Sequence, residues 1–244
     1  RLIPGDTILF VAPSGYLKHD RMDLAKKRLE DRGYVTLQAN DIFRQHGYLG
    51  GTDERRVQEF MAGWKDPKIK AIFPGTGGYG TTRILDQLDY DIIKNNPKIL
   101  IGFSDITGLH LAINKMTDMV TFHTPSPMYG LGSKGNLPPI SDQYFWQAIE
   151  NENPNGYIID PSKFKLSESM ITFHGGKGKG ELIGGNLSLI NTLMGTPYEI
   201  DTDGKILFME DVGEAPYRID RYLSQLKLAG KFDHVTGIIL GKFT

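Results

Sequence analysis

The chain has 244 residues, 39% of them hydrophobic and 23% charged, which fits a packed core and excludes disorder. Lys and Arg number 28 against 29 Asp and Glu, and a net charge of -1 removes the electrostatic case for nucleic-acid binding or polybasic membrane attachment. With no Cys, disulfides, thiolate metal sites and a cysteine nucleophile are excluded, so a nucleophile has to be Ser, Thr, Lys or a carboxylate.

No apolar run approaches the roughly 18–20 residues of a membrane helix, and residues 1–6 lead into a strand without a signal-peptide pattern. Position 1 is Arg rather than Met, read as removal of something upstream. Residues 8–12 form a continuous apolar strand, and Met22, Ala25 and Leu29 mark one face of a helix over 20–32. A second strand covers 34–37. Thr52 is placed as an N-cap, with Asp53 and Glu54 at the positive end of the helix dipole. Val57, Phe60, Met61 and Trp64 follow at i, i+3, i+4, i+7, and Asp66-Pro67 stops that helix. Strands at 69–73 and 98–101 each run into a glycine-containing turn and a helix. Strands that are apolar throughout and alternate with helices imply a parallel sheet covered on both faces.

After about residue 123 the prolines and glycines of 125–139 mark an irregular stretch, and a helix is expected over 141–150. Residues 151–155 and the glycine-rich 175–180 bracket a polar connector. A second cycle then holds a Gly184-Gly185-Asn186 turn, a helix through Leu193, a strand over 205–209, a helix from about Tyr217 and a last strand over 237–244, read as buried and ending as it emerges. The expected fold is α/β: an N-terminal parallel-sheet, flavodoxin- or Rossmann-like domain over 1–148, a linker over 149–174, and a smaller C-terminal domain over 175–244 that reads as truncated.

Ligands of parallel sheets meet the chain beyond the carboxyl ends of strands. Three such turns stand out. Gly75-Thr76-Gly77-Gly78-Tyr79-Gly80 lets backbone N–H groups face a ligand closely. No Lys-Ser/Thr pair follows, which excludes a Walker site, and the match to G-x-G-x-x-G follows the third strand rather than the first. An anion- or oxyanion-binding turn is the preferred reading, over a plain tight turn or a nucleotide site. Gly102-Phe103-Ser104-Asp105-Ile106 has the strand-turn-helix context of a nucleophile elbow, with Ile106 where a second glycine usually stands. Ser104 as a simple helix N-cap is an equal alternative. Third, Glu210 directly follows Ile206-Leu207-Phe208-Met209, where a carboxylate could orient a His, against the plain reading of an acid in solvent. Among the six His, no pair stands at i, i+4, so no metal site is expected.

Together, Gly77-Gly78-Tyr79-Gly80 with Arg83, the turn at 102–107, Gly184-Gly185-Asn186-Leu187-Ser188, Met209-Glu210-Asp211 and Pro216-Tyr217-Arg218-Ile219-Asp220-Arg221 resemble the LD-carboxypeptidase family in order over essentially the whole chain. That family comprises muramoyltetrapeptide carboxypeptidases and microcin C immunity peptidases. The resemblance implies a cytoplasmic, homodimeric serine peptidase of cell-wall recycling, or an exported one if a signal preceded Arg1. It would need no cofactor and no metal, and would bind neither nucleic acid nor membrane. Its substrate would be a murein tetrapeptide, cut between the L-centre of a diamino acid and terminal D-Ala. Ser104 would be the nucleophile of a Ser-His-Glu triad and Glu210 the acid that orients the His, with the N–H groups of Gly78 and Asp105 as the oxyanion hole. Gly77, Tyr79 and His123 would contact substrate, His123 shaping the cleft rather than acting as base. Thr76 stands where the family usually has Arg. The catalytic His of the family lies in a Gly-His-Gly-like loop well downstream of the acid, so it is expected beyond Thr244. Two alternatives stay open: a microcin C-type peptidase cutting a peptidyl- or aminoacyl-nucleotide amide, its specificity set within 122–139, and a non-catalytic binder of cell-wall peptides.

Overall fold

The computed structural model describes residues 1–135, 137–151 and 171–244. Residues 152–155 and most of the expected 149–174 linker therefore lie outside the described residues, as does one position of the 122–139 segment. The apolar runs become strands β1 (Thr7–Val11), β2 (Val35–Leu37), β3 (Ile69–Pro74), β4 (Ile99–Gly102) and β5 (Phe122–His123), all parallel, in the order β2-β1-β3-β4-β5. This is the flavodoxin-like order, whose direction of winding reverses between β1 and β3.

Helices cover both faces because each carries one apolar stripe. Helices α1 (His19–Asp31) and α5 (Pro139–Glu150) bury Met22, Leu29, Phe145, Trp146 and Ile149 against Phe10, Phe73 and Ile101. On the other face, α2 (Asp53–Lys65), α3 (Tyr90–Asn95) and α4 (Thr107–Thr117) bury Phe60, Trp64, Ile93, Leu109 and Ile113 against Val11, Ile72 and Leu100. Thr52 caps α2 as expected, its side chain accepting from the Arg55 N–H.

A separate three-stranded parallel sheet follows, ordered β6 (Leu182–Asn186), β7 (Ile206–Asp211) and β8 (Gly237–Phe243), with α6 (Leu187–Thr192) and α7 (Pro216–Leu228). Its Ile183, Leu187, Ile190, Leu207, Met209 and Leu226 belong to the same buried cluster as Leu109 and Ile113 of α4, so the second lobe rests on the first through a shared apolar layer.

Three expectations change. Gly184-Gly185-Asn186 is strand, not turn. The two glycines are there because the strand passes so close to its neighbours: a Cβ on Gly184 would meet the Phe208 carbonyl oxygen at 1.8 Å, and one on Gly185 would meet Thr107 Oγ1 at 2.7 Å. Second, the strand predicted over 205–209 continues through Glu210 and Asp211, which pair in register with Asn186 and Phe243. Backbone pairing there outweighs the low strand propensity of two acids. Third, β8 is not buried: Ile238, Ile239 and Leu240 remain 43–48% exposed, β8 being an edge strand that among the described residues pairs with β7 alone. An apolar run states what a strand's faces can meet, not what covers them.

Candidate active site

At the carboxyl end of β4, Gly102 has φ +147° and a Cβ there would lie 2.7–3.0 Å from three atoms of the Ile106 side chain. Glycine is thus required for Ile106 to fold back over the turn, and this single glycine makes the space that two provide in a G-x-S-x-G elbow. Ser104 opens a short 3-10 turn (Ser104–Ile106) in the left-handed region, φ 60°, and caps no helix with its side chain. A non-glycine residue there stores about 1–3 kcal/mol of backbone strain. That backbone geometry fits the elbow of the two readings rather than a side-chain N-cap, and Ser104 is partly exposed.

The glycine turn after β3 lies directly opposite. A Cβ on Gly77 would sit 3.0 Å from Ser104 Cβ, 3.2 Å from Ser104 Oγ and 3.3 Å from the Asp105 nitrogen. Gly78 follows with φ +110° on the exposed surface, and Tyr79 is half exposed, its ring edge-on to Tyr48 at 5.6 Å. The structure therefore brings Gly77, Gly78, Ser104 and Asp105 into one place. Thr76 is buried. The turn is held from below by Arg56, wholly buried on α2, which donates to the carbonyls of Pro13 and Gly80 and pairs with Asp53 at 2.5 Å. Asp53 also takes Arg83 at 2.7 Å.

Glu210 comes to the same end of the molecule from the second lobe. Its register partner Asn186 donates its backbone N–H to Thr107 Oγ1 at 3.1 Å, three residues past Ser104. On the other side, His123 pairs with Gly102 across β4 and β5 and places its Nε2 4.0 Å from Glu210 Oε1. That separation is too long for a hydrogen bond. Glu210 Oε1 is buried without a hydrogen-bond partner among the described residues. Burial first, and the Asp211 charge second, raise the Glu210 pKa, with a side-chain bond from Asn186 opposing them. Burial lowers the pKa of His123 below the ordinary imidazole value, although 28% of its side chain stays open to solvent. This pair is thus no fixed ion pair: both groups are pushed toward their neutral forms. His110, behind the elbow, contacts the Gly102 carbonyl through Nε2 at 3.0 Å, and burial lowers it to about 4.

A cavity of about 650 Å³ opens between the edge strands β5 and β6, lined by His110, Phe122, His123, Tyr144, Ile183 and Phe208. Its lining includes His110 and His123 but neither Ser104 nor Glu210. His174 and His234 are both exposed. Among the described residues no group of three or more His, Asp or Glu is arranged to hold a metal ion, and no helix is long and apolar enough to cross a membrane.

Several residues were missed by the sequence reading. Ser14, after β1, donates to Asp105 Oδ2 at 2.6 Å. Thr81 and Arg56 hold the glycine turn, and Asp211 accepts from the Asn186 side chain and the Ser188 N–H at 2.9 and 3.0 Å. Ser14 had a signal, since Ala12-Pro13-Ser14-Gly15 also leaves the carboxyl end of a strand. Arg56 had none, because a charged residue on an amphipathic helix reads as solvent-facing.

Residues 8–124 match the LD-carboxypeptidase N-terminal domain and residues 179–244 the LD-carboxypeptidase C-terminal domain. The chain is 39% identical over 239 residues to a probable murein peptide carboxypeptidase of Bacillus subtilis strain 168, covering 98% of this chain and 72% of that protein. The crystal structure of a muramoyltetrapeptide carboxypeptidase from Oxalobacter formigenes superposes with a TM-score of 0.82 at 28% identity, covering 98% of this chain and 77% of that one. The microcin C7 self-immunity protein MccF in complex with aspartyl sulfamoyl adenosine superposes with a TM-score of 0.87 at 30% identity, covering 99% and 79%. The chain belongs to the LD-carboxypeptidase family of serine peptidases.

Proposed function

We propose that this protein is an LD-carboxypeptidase that hydrolyses the amide between the L-centre of a diamino acid and the terminal D-Ala of a murein tetrapeptide, with Ser104 as nucleophile. The observation that carries the reading is the left-handed Ser104 in contact range of Gly77, with Glu210 Oε1, buried and without a hydrogen-bond partner among the described residues, at the same edge. Ser104 Oγ attacks the carbonyl carbon as an imidazole takes its proton. The tetrahedral oxyanion is met by the N–H groups of Gly78 and Asp105, each worth roughly 3 kcal/mol. The imidazolium then protonates the amine of D-Ala, the C–N bond breaks, and water releases the acyl group by the reverse sequence.

Glu210 orients the imidazole, which the resemblance places downstream of Glu210 in the sequence. His123 fills that role poorly, since its Nε2 stands 4.0 Å from the carboxylate and burial depresses its basicity. It shapes the cleft instead, with Gly77 and Tyr79. The reaction asks for no metal or organic cofactor. Homodimerisation and a cytoplasmic location rest on the resemblance.

A second reading is supported by the likeness to MccF, whose complex holds aspartyl sulfamoyl adenosine: cleavage of an aminoacyl- or peptidyl-nucleotide amide by the same serine. Offering both substrates to the full-length protein, the imidazole-bearing segment downstream of Glu210 included, tests the two. Release of D-Ala from murein tetrapeptide with no turnover of aspartyl sulfamoyl adenosine is expected, and the reverse result replaces the first reading by the second. Failure of a fluorophosphonate to label Ser104 would leave a non-catalytic binder of cell-wall peptides.

A further inference from the structure

Asp105 is 2% exposed, and its Oδ2 accepts two hydrogen bonds, from Ser14 Oγ at 2.6 Å and from the Thr81 N–H at 2.9 Å. Thr81 returns a third, its hydroxyl donating to the Asp105 carbonyl at 2.6 Å. Ser14 and Thr81 are both fully buried. These bonds tie together the turns that leave β1, β3 and β4. At this level the strands have ended, so sheet pairing no longer sets their spacing. The turn after β1 is joined to the glycine turn a second time, by the Gly15 N–H donating to the Gly77 carbonyl at 3.1 Å. The first turn of α4 leaves room for the Thr81 hydroxyl: a Cβ on Gly108 would lie 2.7 Å from it.

We infer that Ser14, the Asp105 side chain and Thr81 form a clamp that fixes the distance between the Gly78 and Asp105 N–H groups; the inference rests on the Ser104 reading above. Gly78 and Asp105 lie on different turns, 27 residues apart in sequence. Two donors converge on one oxyanion only if the turns are held to a fraction of an ångström, and a misplacement of about 1 Å costs on the order of a hundredfold in rate. Thr81 is three residues past one donor, and Asp105 carries the other, so the three bonds span the gap that matters. A carboxylate beside a developing oxyanion opposes it electrostatically, which makes the contribution of the Asp105 side chain a geometric one. Ser14 and Thr81 are therefore positioning residues: neither touches the reacting atoms.

The experiment compares Ser14→Ala, Thr81→Val and Thr81→Ser in the full-length protein, with the segment downstream of Glu210 that carries the imidazole, measuring D-Ala release and the rate of fluorophosphonate labelling. Ser14→Ala and Thr81→Val should each lower kcat about 10- to 100-fold with KM within about twofold, the order expected for a displaced oxyanion donor. Labelling should slow in the same proportion, because the phosphoryl oxygen occupies the same hole. Thr81→Ser keeps the hydroxyl and should recover most of the rate lost in Thr81→Val. Unchanged kcat in both variants overturns the clamp, as does a loss that Thr81→Ser fails to restore. Should Ser14→Ala not fold, Ser14→Cys, which keeps the volume and weakens the donor, is read against the same criteria. If the unsubstituted full-length protein, with the imidazole-bearing segment downstream of Glu210 present, neither labels nor releases D-Ala, the Ser104 reading itself has failed, an outcome separate from these.

Discussion

Gly77 and Ser104 face each other across the ends of β3 and β4, so close that a methyl on Gly77 would lie 3.0 Å from Ser104 Cβ and 3.2 Å from its hydroxyl oxygen. This approach joins the glycine turn and the elbow into one site. Because Gly77 is not in the left-handed region, Gly77→Ala does not force an L side chain into positive φ, and the three atoms nearest the added methyl belong to the serine and to the Asp105 nitrogen. The variant should fold with a melting temperature within a few degrees of the parent. It should lose at least about a hundredfold in kcat/KM, roughly the effect of removing an oxyanion donor. Comparing melting curves with D-Ala release checks both halves of the statement.

Ser104→Ala and Ser104→Gly should both abolish turnover, by roughly 10⁴- to 10⁶-fold. Their stabilities should differ in an informative direction. Alanine keeps the strain of φ 60°, whereas glycine adopts that conformation freely. Ser104→Gly should therefore be the more stable of the two by about 1 kcal/mol. Equal denaturation midpoints would mean that the serine backbone is not strained.

Glu210 should be a site where function is held against stability. Its folded pKa is raised by burial and by Asp211, so the folded state holds the proton more tightly than the unfolded chain does. Stability then falls as pH rises from the ordinary carboxylate value of 4.5 through the raised one. Glu210→Gln removes that loss: it should be more stable than the parent at pH 7 and indistinguishable from it below the ordinary value. Activity should drop about 10⁴-fold, as when the acid of a triad becomes an amide. Urea denaturation at the two pH values measures the first effect.

His110 carries the opposite sign. Its folded pKa is lowered from 6.5 to about 4 by burial. The unfolded chain therefore binds a proton that the folded one refuses, and stability is lost as pH falls across that window. His110→Gln keeps a donor for the Gly102 carbonyl and does not titrate. It should flatten the acid limb by at most about 3 kcal/mol, the equivalent of that shift at 1.36 kcal/mol per pH unit. An unchanged pH profile would place the acid sensitivity elsewhere.

His123 offers a direct test of which imidazole is the base. Shaping the cleft predicts a rise in KM and a loss of less than about tenfold in kcat for His123→Gln, against the roughly 10⁴-fold or greater loss expected of a triad base. The pre-steady-state burst, if hydrolysis of the acyl-enzyme is slow, should persist in this variant.

What could be read from the residues alone follows from periodicity and punctuation. The apolar runs at 8–12, 69–73 and 98–101, the stripe Val57, Phe60, Met61 and Trp64, and the Thr52 cap all record local constraints that one chain segment states by itself. The order of motifs from Gly77 to Arg221 carried the family. What the residues could not state were relations between segments. Gly184 and Gly185 read as a turn because their need for φ of +136° and +140° is visible, while the Phe208 carbonyl and Thr107 that demand it are not. Ser14, Arg56 and Thr81 stand 91, 24 and 24 residues from partners whose bonds shape the turns. Spacing alone leaves open whether Ser104 caps a helix or stands on an elbow, because both fit strand-turn-helix; the left-handed Ser104 backbone, with no side-chain cap bond, favours the elbow. A sequence fixes which groups a segment can bury or bond, and only the packing of distant segments selects which of those groups meet.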